Sequence, residues 1–157
     1  MGRIHGMAAL EGQSDYAEPD RRAEWNLRYA QHPVRTEAAA LARRLQGLVA
    51  AVGAVPKDDP FFRLLVYARR CTAKMAGALA GYTHPTMLAP AITSLRAALR
   101  AASACLAKVD PCVQTGRFGP WQAEGLTREL LAIRTHLEKL LEQFRLHLAD
   151  GAGIDEA

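Results

Sequence analysis

The sequence predicts an all-α protein, an antiparallel four-helix bundle with an additional short N-terminal helix. Three observations predict it. Leucine and alanine lead an apolar half of the composition in which β-branched residues are few. Four segments each carry one apolar stripe that steps by three and four residues alternately, the period of near-antiparallel helices crossing at about 20°. Pro33, Pro60, Pro85 and Pro120 each stand where a first helical turn would begin.

Helix α1 is expected at about 20–31, with Trp25 and Tyr29 one turn apart. Helix α2 is expected over 33–55, its stripe running Ala38, Leu41, Leu45, Leu48, Val52 and Val55. Helix α3, over 60–82, has Asp59 placed as its cap and a stripe of Phe61, Leu65, Ala68, Thr72, Met75, Leu79 and Tyr82. Helix α4, over 85–109, follows Thr83 or His84 as cap and repeats the spacing from Leu88 and Ile92 through Leu95, Leu99, Ala102 and Leu106 to Val109. Pro90 falls in its first turns, to bend the helix or mark its start. Helix α5, over 120–149, presents Leu126, Leu130, Ile133, Leu137, Leu140 and Phe144. Residues 1–18 hold three glycines and no sustained period, so they read as a flexible tail. Residues 150–157 read as a flexible acidic tail after a glycine stop, leaving 19–149 as the bundle domain.

Two of these helices have unusual backs. On α3, Ala73, Gly77 and Gly81 lie away from the stripe; on α4, Thr93, Ala97, Ala101 and Ala104 do. Glycine inside a helix costs about 1 kcal/mol against alanine, and small residues let another backbone approach. The expectation is a second covered face on α3 and α4. Helix α1, through Trp25 and Tyr29, is the first candidate to cover it, and a second copy or another chain is the next.

Charge is concentrated on the same pair. Residues 60–109 contain Arg63, Arg69, Arg70, Lys74, Arg96, Arg100 and Lys108 and no acid. The tails hold six acids against Arg3 alone, and setting them aside takes the net charge from +4 to +9. Such a field suits an acidic protein surface or phosphates. Helix α5 balances Glu124, Glu129, Glu138 and Glu142 against Arg128, Arg134, Lys139 and Arg145, an ordinary solvated face. Arginine far ahead of lysine is the usage of a GC-rich bacterial genome, which weakens any argument from arginine count alone.

The residues argue against catalysis. A two-metal bundle needs Glu three residues before His on two helices. The residues three before the five histidines are Gly2, Tyr29, Gly81, Ile133 and Phe144. Cys71, Cys105 and Cys112 form no CxxC or zinc spacing and read as reduced thiols. No haem-attachment, phosphate-loop or nucleophile-elbow motif occurs. No cofactor and no metal is expected. No run of 18 apolar residues and no signal-peptide pattern occurs, so the expected setting is the cytoplasm, with no membrane contact. In the stretch 109–121, Arg117 and Phe118 could anchor an interface, although Phe118 and Trp121 more often plug the end of a bundle.

The reading is a non-enzymatic interaction or assembly subunit that binds a protein partner or a second copy of itself. Its contact surface is Arg69, Arg70, Lys74, Gly77, Gly81, Arg96, Ala97, Arg100 and Ala101, with Arg117 and Phe118. The alternative is a nucleic-acid-binding bundle that places the same cations on phosphates.

Overall fold

The structure, a computed structural model, describes residues 23–80 and 87–156. Among them stand four α-helices and no strand: α2 (Pro33–Val52), α3 (Pro60–Ala78), α4 (Leu88–Gln114) and α5 (Pro120–Glu156). Each packs on the next in chain order, and α2 also meets α5, which closes the ring. The four-helix bundle is therefore the fold. Gly81, Tyr82, the expected caps Thr83 and His84, Pro85 and residues 1–22 lie outside the described residues.

Three helix starts follow the proline logic, while α4 begins at Leu88 and not at Pro85 as expected. At α2 the His32 ring is the cap: Nδ1 accepts the Val34 N–H at 3.1 Å, and Pro33 occupies the first helical position. At α3 the Asp59 carboxylate accepts the Phe61 N–H at 2.9 Å ahead of Pro60. At α5 the Gly119 N–H donates to Gln122 Oε1 at 3.1 Å, half of a capping box. Pro90 sits within the first turn of α4, where its missing N–H has no intrahelical partner to lose.

Helix α4 is longer than its spacing suggests. It continues past Val109, through Pro111, to Gln114. A proline forfeits one intrahelical bond and crowds the preceding turn, yet burial of Val109 and Cys112 on either side holds the helix together. The end is a Schellman motif. The Arg117 N–H donates to the Cys112 carbonyl at 2.8 Å and the Gly116 N–H to the Val113 carbonyl at 3.0 Å. Gly116 takes φ +76°, the left-handed conformation that this motif requires.

The core stripe also differs in detail. In α3 it runs Phe61, Leu64, Leu65, Ala68, Cys71, Met75, Ala78 and Leu79, with Thr72 at its half-buried margin. In α4 it runs Ile92, Leu95, Ala98, Ala101, Ala102, Cys105, Val109 and Cys112, while Leu99 and Leu106 move to the margin. In α2, Val49 takes the place expected of Leu48, and Val52 is exposed. Period 3.5 and period 3.6 diverge by about 20° per heptad, and a straight helix follows the second.

The α3–α4 pairing is the most extensive in the molecule. Small residues bring the helices together: the Cys105 thiol donates to the Leu64 carbonyl across the pair at 3.5 Å. Ala101 is only 4% exposed, so it belongs to the interior, while Ala97 and Ala104 are half-buried.

The short N-terminal element is a π-helical turn, Asn26–Ala30, which follows helical residues 23–25. It lies against α5 and not across α4. Trp25 packs tilted and Tyr29 edge-on against Phe144, with ring centroids 5.1 and 4.9 Å away, and the Tyr29 hydroxyl is 2.7 Å from His147 Nε2. At the other end of α5, the backbone helix runs on to Glu156, past the glycine stop suggested at residue 151.

The loop between α4 and α5 is tied to the start of α3. Arg117 Nη2 donates to Asp59 Oδ2 at 2.8 Å, and the guanidinium lies 5.8 Å from the centroid of the Phe61 ring. Phe118 packs edge-on against Phe61, 5.4 Å between centroids. Arg117, then the Phe61 N–H, holds the Asp59 carboxyl below its ordinary pKa of 3.8. A carboxylate lowered in the folded state stabilises above the unfolded value and loses that contribution as pH falls through the folded one. Asp59→Asn keeps a capping oxygen but leaves Arg117 without its charge partner, for an expected loss of about 1–2 kcal/mol at neutral pH. Urea melts at neutral pH and below about pH 4 check this, because the gap between the two proteins should close in acid.

Candidate functional site

Among the expected contact residues, Arg69, Arg70, Lys74, Arg96 and Arg100 are exposed, as is Arg63. No ion pair among the described residues joins any of them, or the half-buried Lys108, to a carboxylate. Arg70 has a local aromatic partner instead, its guanidinium 5.7 Å from the Tyr67 ring centroid. Three acids of α5 are engaged elsewhere. Glu129 pairs with Arg44 of α2, and Glu124 and Glu138 pair with Arg128 and Arg134 on α5 itself.

On α3, Arg63, Arg70, Lys74 and Gly77 fall on one stripe by helical period, and Tyr67 lies among them, half-buried. On α4, Thr93, Arg96, Arg100, Ser103 and Ala107 form the solvent stripe. The small-residue surface resolves differently on the two helices. Gly77 is exposed, and a Cβ built on it meets nothing within 4 Å. Ala97 is half-buried, and Ala101 is in the core and cannot touch a partner.

Two further expectations need correction. Phe118 is 7% exposed and Arg117 is occupied by Asp59, so this pair fastens the bundle end and does not present an anchor. Trp121 is the reverse case. Expected beside Phe118 as a plug, it stands 85% exposed. It edges a cleft of about 360 Å³ between α2 and α5, lined by Leu41, Leu45, Leu48, Phe118 and Leu126 among others. Position 121 is the second residue of α5, and nothing in the local spacing tells which side of the first turn faces the core. The exposure of Leu48 was equally hidden, because it depends on how loosely α2 meets α5.

The three thiols are inert. Burial pushes Cys71 and Cys105 up to about 12 and Cys112 up to about 11, so each stays protonated at neutral pH. The more responsive group is His32, whose ring lies edge-on to His136 with centroids 5.4 Å apart. Burial, then His136, pushes the His32 pKa below its ordinary 6.5 against the opposing pull of Glu37. Protonation would also place an N–H where Nδ1 now accepts the Val34 N–H.

A histidine lowered in the folded state stabilises above the unfolded pKa and loses that contribution as pH falls through the folded value. Thermal melts from about pH 7.5 to about pH 5 should therefore show a decline in the wild-type protein. His32→Asn, which retains a capping oxygen, should flatten that part of the profile. Gly77→Ala should raise stability by up to about 1 kcal/mol, since its methyl enters open space. Ala101→Leu should lower it by about 1–3 kcal/mol through overpacking, and chemical denaturation reads both.

No protein-family model, curated protein or solved structure matches this chain.

Proposed function

We propose that this protein is a non-enzymatic interaction or assembly subunit that presents the outer faces of α3 and α4 to an acidic protein surface. One observation carries the reading: the exposed cations Arg63, Arg69, Arg70, Lys74, Arg96 and Arg100 have no carboxylate partner among the described residues. Positive groups held at fixed spacing on packed helices provide a lasting one-sign field, which speeds encounter with an oppositely charged surface and sets its orientation.

A protein surface suits these faces better than a nucleic acid. Single strands are gripped by exposed rings between the charges, and the ring among these cations, Tyr67, is half-buried. Between the cations stand Ala73 and Gly77 on α3 and Ser103 and Ala107 on α4, short residues that let a partner's side chains or backbone approach. At Gly77 a Cβ would meet nothing within 4 Å, so among the described residues there is no packing reason for it to lack a side chain.

The partner is sought by affinity capture from the source cells, identified, and then measured with purified components. Neutralising Arg63, Arg70, Arg96 and Arg100 to Gln should weaken that complex at least tenfold while thermal stability stays within a few degrees. Gly77→Leu should weaken the complex and leave the monomer folded. Duplex DNA and RNA are titrated in parallel at about 50 and 200 mM salt. Nucleic-acid binding that falls about a thousandfold over that range and vanishes in the neutralised variant would replace this reading with phosphate recognition. A partner indifferent to all five substitutions would overturn it.

A further inference from the structure

A second cationic feature lies away from those outer faces. A cleft of about 330 Å³ opens between the first half of α2 and the last turns of α3, with Arg35, Thr36 and Arg43 on one wall and Thr72 and Ala76 on the other. His32 and Gln31 complete its α2 end, and among the described residues no carboxylate lines it. The one acid in this part of α2, Glu37, lines a different cleft, toward α5.

We propose that this cleft binds a small soluble phosphorylated molecule, with Arg35 and Arg43 as the cationic donors at its two ends.

The two arginines bracket the cleft, eight residues and about 12 Å apart along α2. Neither is neutralised by a carboxylate among the described residues. Arg35 is pre-positioned. Its Nη1 donates to the Ala30 carbonyl at 2.7 Å, which fixes the guanidinium and leaves its other donors unspent. Thr36 and Gln31 add neutral donors at the same wall.

The opposite wall has another polarity. Thr72 donates its hydroxyl proton to the Ala68 carbonyl at 3.1 Å, so toward the cleft its oxygen can only accept. A ligand that fits carries oxygen acceptors on its α2 side and a free hydroxyl donor on its α3 side, which describes a monophosphate of a polyol, such as a sugar phosphate. A simple carboxylate supplies fewer oxygens for two guanidinium forks. The floor of Ala30, Ala39 and Ala76 leaves the space unfilled.

This site shares no lining residue with the α3–α4 contact surface, so the two readings stand or fall separately. The test uses the full chain with inorganic pyrophosphate and glucose 6-phosphate as probes, citrate as the carboxylate comparison, and calorimetry with amide chemical-shift mapping. The expected result is saturable one-to-one binding at or below about 1 mM, with the largest shifts at Arg35, Thr36 and Thr72. Arg43→Gln, an exposed position, should weaken it at least tenfold, and Arg35→Gln should do likewise. Arg63→Gln, half a turn around α3 from Thr72, should change it less than twofold. Several results would overturn the site: no saturation by either phosphate probe, equal or tighter binding of citrate, or equal losses in Arg63→Gln and Arg43→Gln. Shifts confined to other helices, or binding seen only with oligonucleotides or with phosphatidylglycerol vesicles, would do so as well.

Discussion

The close approach of α3 and α4 is the constraint on which the rest of this molecule depends. Ala68 and Cys71 on one helix and Ala98, Ala102 and Cys105 on the other are buried, and a thiol of α4 reaches a backbone carbonyl of α3. Interiors pack at crystal-like density, so an interface of small side chains is stable only where two backbones come close enough to leave no void. That closeness turns Ala98, Ala101 and Ala102 of α4 inward. It also leaves the long cationic side chains of both helices nowhere to go but the outer arcs.

The two ends of the bundle are closed by different chemistry. At one end a single carboxylate, Asp59, caps α3 and holds Arg117, and two phenylalanine rings meet edge-on beneath them. At the other, the turn Asn26–Ala30 lies on α5 through packed rings, the Tyr29–His147 contact and the His32–His136 pair. Between those ends α2 and α5 meet sparsely, joined by the Arg44–Glu129 pair, with clefts of about 400 and 360 Å³ on either side of it. The seam with least packing is also the one where Trp121 and Leu48 stand in solvent.

This arrangement distributes charge unequally. The α5 carboxylates that pair do so with arginines of α2 and of α5 itself, so they do not neutralise the hairpin across the bundle. Two separate positive regions follow: the outer arcs of α3 and α4, and the α2–α3 cleft around Arg35 and Arg43. The first is spread along two helices, which suits a macromolecular surface. The second is concave and bounded on both walls, which suits a molecule of limited size. Among the described residues, no helix is long and apolar enough to cross a membrane, and no group of three potential metal ligands gathers.

Much of this was legible in the chain itself. Helix number, the starts at Pro33, Pro60 and Pro120 and the Asp59 cap follow from backbone chemistry that acts over a few residues, and the acid-free stretch 60–109 is a property of composition. Other features depended on contacts between segments far apart in sequence. Ala101 turned out buried because α4 rotates to follow a 3.6-residue period, and Phe118 was buried while Trp121, three positions on, was not. Arg117 found Asp59 across 58 residues, and the Arg35–Arg43 cleft exists only because α3 lies alongside α2. Local hydrogen-bonding chemistry sets where a helix begins, and periodicity sets roughly which face is apolar. Which residues at the margin of that face meet solvent depends on the distance and rotation between helices, and only the packed bundle decides those.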